Sequence, residues 1–116
     1  MIPQWLALLL SIAIEATVGA VFVTALDWGS GLRTALAAAL GTLATHWLAW
    51  WCMLELIEPL GYATAFVTVE AGVVGAETIV FRALVPLPIG RALMTSLAVN
   101  AASAGVGIAV DALNLA

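Results

Sequence analysis

The chain has 116 residues, 65% of them hydrophobic, with seven acids against three arginines and a formal net charge of −4. Its mean hydropathy is +1.18, more apolar surface than a soluble domain of this size can hide, so a bilayer is expected to cover it. The absence of lysine excludes the clustered positive charge that nucleic acid requires, and the single Cys52 excludes an intrachain disulfide.

Crossing the hydrocarbon takes about 20 mainly apolar residues per helix. Four such stretches are expected, at about 4–26, 33–57, 60–84 and 91–113, joined by a few residues each. The fold class that follows is an all-α integral membrane protein, a four-transmembrane-helix bundle forming one transmembrane domain over 1–116.

The first stretch lacks a basic leader and runs past the length of a signal-peptide core, so it is expected to be a retained helix. Glu15 lies almost at its midpoint, with Ser11 and Gly19 on the same face. Asp27-Trp28-Gly29-Ser30-Gly31 then forms a turn cluster, from which Ser30 or Gly31 is expected to cap the second helix. In that helix Thr42, Thr45 and His46 make a polar stripe. Its connection to the third is expected over Glu55 to Pro59, with Pro59-Leu60-Gly61 breaking the chain. The third helix carries Glu70 and Glu77, seven residues apart on one face. Pro86 and Pro88 end it, and the fourth carries a stripe of Ser96, Asn100, Ser103 and Gly107.

All three basic residues, Arg33, Arg82 and Arg91, lie beside the first and third connections. The positive-inside rule then puts those connections in the cytoplasm, with the second connection and both N- and C-termini outside. A bacterial or archaeal inner membrane is the expected location. Trp5, Trp28, Trp50 and Trp51 fall near helix ends, where interfacial aromatic anchors sit; Trp47 lies deeper, beside His46.

Two tandem hairpins related by a pseudo-twofold axis along the membrane normal are a further expectation. Ile14-Glu15-Ala16 matches Val69-Glu70-Ala71, and Arg33-Thr34-Ala35-Leu36 matches Arg91-Ala92-Leu93-Met94. The competing account is chance identity in an Ala/Leu/Val-rich chain. A true repeat makes Glu15 and Glu70 equivalent acids at one depth.

An ionisable side chain at the bilayer centre costs about 2.5–3.5 kcal/mol on insertion scales and marks a functional site by default. Glu15, His46, Glu70 and Asn100 give each helix one strong polar group near its midpoint, with Glu77 a further acid on the third helix. Desolvation at that depth favours the protonated carboxyl, which can bind and release a proton or pair with an incoming cation. The five residues are therefore the candidate ion- and proton-binding set, with Glu15, His46 and Glu70 at its core. The same three are candidate ligands for a divalent metal, although no Glu-x-x-His or Cys-x-x-Cys spacing supports one. Glu77 has a structural alternative in an ion pair with Arg82 or Arg91, Asn100 one in helix–helix packing, and His46 one as a plain hydrogen-bonded side chain. No nucleophile motif, Walker-A pattern or dinucleotide glycine pattern occurs, so an enzyme is not expected.

Ala44-Thr45-His46-Trp47-Leu48-Ala49-Trp50-Trp51 is similar to the membrane histidine and following aromatics of bacterial light-harvesting polypeptides. That likeness implies His46 as an axial ligand to haem or a chlorin, in an accessory subunit of a redox or photosynthetic membrane complex. Four helices in so short a chain, with Glu15 in the middle of the first, resemble the small multidrug resistance exporters. That likeness implies proton-coupled export through Glu15, while Glu70, Glu77 and His46 depart from it and helices three and four carry no matching motif. The leading expectation is cation binding or transport at a midplane Glu/His site; an assembly or scaffold role is the remaining one. Beyond the lipid bilayer the expected partners are further copies of the chain or a larger membrane complex, packed through the Ala101/Gly105/Ala109 and Gly72/Ala76 steps. Four short helices enclose little volume, so a transport path is expected at a subunit interface.

Overall fold

The computed structural model describes residues 3–115. Four helices follow in order: α1 (Gln4–Ala25), α2 (Gly31–Leu60), α3 (Tyr62–Leu84) and α4 (Ile89–Leu115). Each packs on two neighbours in the ring α1–α2–α3–α4–α1. The short connections reverse the chain each time, which makes an up-down-up-down bundle. Its long dimension is 40 Å, against about 30 Å of hydrocarbon in a bilayer.

Helices α1, α3 and α4 are long and apolar enough to cross a membrane. Helix α2 is the longest, at 30 residues, yet is not among them. His46, three tryptophans and three inward threonines lower its hydropathy, where four equivalent spans were expected.

The turn after α1 has a Schellman geometry. Trp28 N donates to Val23 O at 2.9 Å and Asp27 N to Thr24 O at 3.1 Å, with Asp27 at φ 54°, a conformation that aspartate tolerates better than most residues. Trp28 then folds back against the core, its ring edge-on to Phe22 at 5.4 Å. Ser30 caps α2 by accepting from Arg33 N at 3.2 Å.

The α2–α3 connection differs from the expectation. Helix α2 runs through Glu55, Glu58 and Pro59 to Leu60, and Gly61 alone reverses the chain, at φ 78° and ψ 160°. A proline one residue from a helix end removes only one backbone bond there. Reversal needs a positive φ, which Gly61 supplies without strain.

The bundle has two unlike halves. At the end where α1 and α3 finish and α2 and α4 begin, Val23, Ala37, Ala38, Phe81, Val85, Leu87, Ala92 and Val99 form a closed apolar core. Gly19 permits the close approach there: a Cβ would sit 3.1 Å from Thr34 Cγ2 and 3.2 Å from Val99 Cγ1. Buried hydroxyls on these helices bond their own backbone, as Thr34 Oγ1 does to Ser30 O (2.8 Å) and Thr95 Oγ1 to Arg91 O (2.8 Å). The outer surface is apolar, with Leu32, Leu36, Trp47, Leu48, Val67 and Ile79 all exposed, whereas Glu15, Thr42, Glu77, Ser96 and Asn100 are buried. This distribution inverts that of a soluble protein.

Two expectations about the surface change. Of the four tryptophans placed at interfaces, Trp5 and Trp51 face outward, while Trp28 packs on the core and Trp50 lines the interior. Trp47 also faces outward. The Gly72/Ala76 and Ala101/Gly105/Ala109 steps point away from the bundle, and a Cβ on Gly72 or Gly105 would meet nothing within 4 Å. They pack no helix within the chain.

Candidate functional site

The other half of the bundle holds a cavity of about 510 Å³ lined by all four helices. Its lining comes from one copy of the chain. Its base is the level of Glu15, Thr42, Glu77 and Asn100, directly above the closed core. Its walls run to the start of α1 at Gln4, the end of α2 at Ile57, the start of α3 at Tyr62 and Asp111 on α4. Asn100 to Asp111 is eleven residues, so the α4 wall is about 16 Å deep at 1.5 Å per residue. Trp50, Met53, Phe66 and Ile108 make most of this wall apolar.

At the base, helix geometry brings four polar side chains from four helices together. Thr42 Oγ1 lies 2.8 Å from Glu15 Oε2 and 3.3 Å from Glu77 Oε1. Asn100 Nδ2 donates to Glu77 Oε2 and, at 2.8 Å, to Ser96 O. Ser96 Oγ donates across to Val74 O at 2.8 Å, tying α4 to α3. Gly41 makes room for the acid, since a Cβ there would be 3.3 Å from Glu77 Cγ. Glu15 is 3% exposed and Glu77 1%. Glu15 Oε1 is buried with no hydrogen-bond partner among the described residues, a costly arrangement for an acceptor.

The acids regroup relative to the sequence expectation. Glu15 meets Glu77 through Thr42, and Glu70 lies seven residues nearer the mouth, about 10 Å up the α3 wall. Glu15 and Glu70 are thus not level, as the repeat requires. On α2 and α4, Thr42 and Asn100 each lie nine residues after Arg33 and Arg91, and both touch Glu77.

His46 sits a turn above Thr42 on the cavity wall, its Nε2 3.2 Å from Gln4 Oε1. It does not join the acids at the base. No three His, Cys, Asp or Glu side chains come together at metal-binding spacing among the described residues, so Glu15, His46 and Glu70 do not form the metal site considered from sequence. His46 Nε2 faces Gln4 Oε1, and the Trp47 ring, on the outer surface, meets the imidazole edge-on at 5.3 Å. Glu77 makes no ion pair with Arg82 or Arg91; the Arg91 guanidinium instead lies 5.2 Å over the Trp28 ring. Asn100 bonds the Ser96 carbonyl of its own helix and reaches Glu77 across on α3.

Three participants escaped the sequence reading. Thr42 was visible only as part of a hydroxyl stripe, and its position one turn from His46 on the same face was the available signal. Asp111 lies three turns beyond Asn100 along the α4 stripe and lines the cavity near the mouth. Gln4 gave no signal, since a glutamine at a helix start is common.

Four carboxyl groups, Glu15, Glu70, Glu77 and Asp111, line the cavity, and no arginine does. Arg33, Arg82 and Arg91 all belong to the opposite end of the bundle, and Glu55 and Glu58 to the cavity end. The interior is an electronegative blind pocket, chemically suited to positive charge and hostile to anions. No protein-family model, curated protein or solved structure matches the chain.

Proposed function

We propose that this chain is a small membrane-embedded protein that binds a cation against the Glu15–Glu77 pair and exchanges it with protons. The observation that carries the reading is the buried pair of acids at the base of a cavity with no arginine among its described lining residues. The apolar exterior, to which Leu36, Leu40, Trp47 and Leu48 of α2 contribute, supports embedding of all four helices. The positive-inside rule supports an orientation with the arginine-bearing, closed end in the cytoplasm and the cavity open to the outside.

The size and lining of the cavity favour one cation class over others. No three His, Cys, Asp or Glu side chains gather at metal-binding spacing among the described residues, which does not favour a transition-metal ion. A volume of about 510 Å³ with aromatic and aliphatic walls suits an organic monocation, whose charged head reaches the acids while its body lies along Trp50 and Phe66. Movement across the membrane then requires the closed apolar half to part below Glu77.

The test is calorimetric titration of purified protein with phenethylammonium, followed by flux of the same amine into proteoliposomes. Binding and flux are expected in the native chain and strongly reduced in Glu15→Gln and Glu77→Gln. Binding and flux unchanged in both variants would refute the proposal.

A further inference from the structure

Hydrogen-bond arithmetic at the base of the cavity sets its proton content. We infer that Glu15 and Glu77 together hold a single proton in the ligand-free protein, carried by Glu15 and relayed to Glu77 through the Thr42 hydroxyl. The inference rests on the same site as the cation-binding proposal and deepens it by giving the stoichiometry of exchange.

Thr42 has one hydroxyl hydrogen but contacts two carboxyl oxygens, Glu15 Oε2 at 2.8 Å and Glu77 Oε1 at 3.3 Å. It can donate to only one of them. The other contact is a hydrogen bond only if that carboxyl is protonated and donates to the Thr42 oxygen. Two ionised acids would leave an acceptor facing an acceptor in a buried space, beside a like charge. Two protonated acids would bring three O–H hydrogens to the two Thr42–carboxyl contacts and leave one buried O–H without an acceptor.

Asn100 decides which acid keeps the charge. Its amide nitrogen must face Ser96 O, because a backbone carbonyl only accepts. The second hydrogen on that nitrogen then points to Glu77 Oε2. Glu77 thereby receives a donor on each oxygen, from Asn100 and from Thr42. Glu15 receives none, and its Oε1 is the buried oxygen without a partner. The relay therefore runs Glu15 O–H to Thr42 Oγ1, and Thr42 O–H to Glu77 Oε1.

The groups facing this relay are few. From α1 there is Glu15 itself, from α2 Thr42 with His46 a turn above, from α3 Glu77 and Glu70, and from α4 Asn100, Ser103 and Asp111. None is a fixed cation, so no group on the wall balances the single negative charge on Glu77. When a monocation enters, Glu15 loses its O–H proton to water. The carboxylate left behind balances the incoming positive charge. The site carries one negative charge before and after, and one proton leaves for each cation bound.

The test needs no ligand. Infrared spectra of the purified protein at neutral pH, recorded in H₂O and D₂O, report protonated carboxyl groups by a C=O stretch distinct from the carboxylate bands. One such group per chain is expected from the buried pair. It should vanish in Glu15→Gln, persist in Glu70→Gln, shift in frequency in Thr42→Val and return to the native frequency in Thr42→Ser. Helical circular dichroism of each variant identifies any that fails to fold, and the Thr42→Ser comparison stands without the valine variant. A native spectrum with no protonated carboxyl, or one whose band survives Glu15→Gln and is lost in Glu77→Gln, overturns the inference. The spectra and the amine titrations fail separately: the proton relay stands if the infrared pattern holds and phenethylammonium does not bind.

Discussion

Replacing Phe81 by alanine tests the division of the bundle into a closed half and an open one. Phe81 is the largest fully buried side chain and packs among Val23, Ala37, Ala38 and Val85 one turn below Glu77. In a soluble core, Phe→Ala costs about 3–5 kcal/mol. Lipid tails are as apolar as this core, so little of the water-transfer part applies between helices in a membrane. The cavity part remains. Roughly 100 Å³ is lost, which at about 24 cal/mol per Å³ gives about 2.4 kcal/mol, or roughly a 50-fold shift in the folding equilibrium. Ile79, exposed on the outer face of the same helix, should cost within about 0.5 kcal/mol when replaced by alanine. Unfolding in mixed micelles by titration with a denaturing detergent, followed by helical circular dichroism, measures both. The void left by Phe81 is lined by aliphatic groups and stays dry, so proteoliposomes bearing the variant should show no new proton leak. A loss below about 0.5 kcal/mol for Phe81→Ala, or an equal loss for Ile79→Ala, would refute the packed-half account.

Three other outcomes follow from the geometry. At an effective dielectric of about 20, a unit charge is worth about 4 kcal/mol at about 4 Å and about 1.7 kcal/mol at about 10 Å. Glu77→Gln should therefore weaken phenethylammonium binding by roughly a hundredfold or more, and Glu70→Gln by at most about twentyfold, as read by calorimetry. Because each cation displaces one proton, a fall in pH opposes binding: apparent affinity should rise about tenfold per pH unit where Glu15 exchanges its proton, and titrations in buffers of different ionisation enthalpy should count one proton released. Gly61→Ala should destabilise by about 1–3 kcal/mol in thermal unfolding, purely through the backbone, since a Cβ there meets nothing within 4 Å; an unchanged midpoint would count against the positive φ at the α2–α3 turn.

Much of the bundle was readable from residue order alone because apolar length and turn chemistry are local properties. Composition calls for helices with an apolar exterior, Ser30 is a cap by residue type, and the Pro86–Pro88 link cannot continue α3. Pro59 misled because a proline reads as a helix breaker wherever it stands, while its cost depends on how many helical bonds follow it. The polar residues were also visible singly, since an acid in an apolar run is an anomaly at any register. Their grouping was not. Which acid of α3 meets Glu15 depends on the axial offset of α1 against α3, and nothing within either helix encodes a shift of two turns. Only the packed bundle pairs Glu15 with Glu77 through Thr42, moves Glu70 up the wall, and keeps His46 apart from the acids. The tertiary structure likewise decides that one half closes around Gly19 and Phe81 while the other stays open, because helix separation follows the side chains that meet across the interfaces.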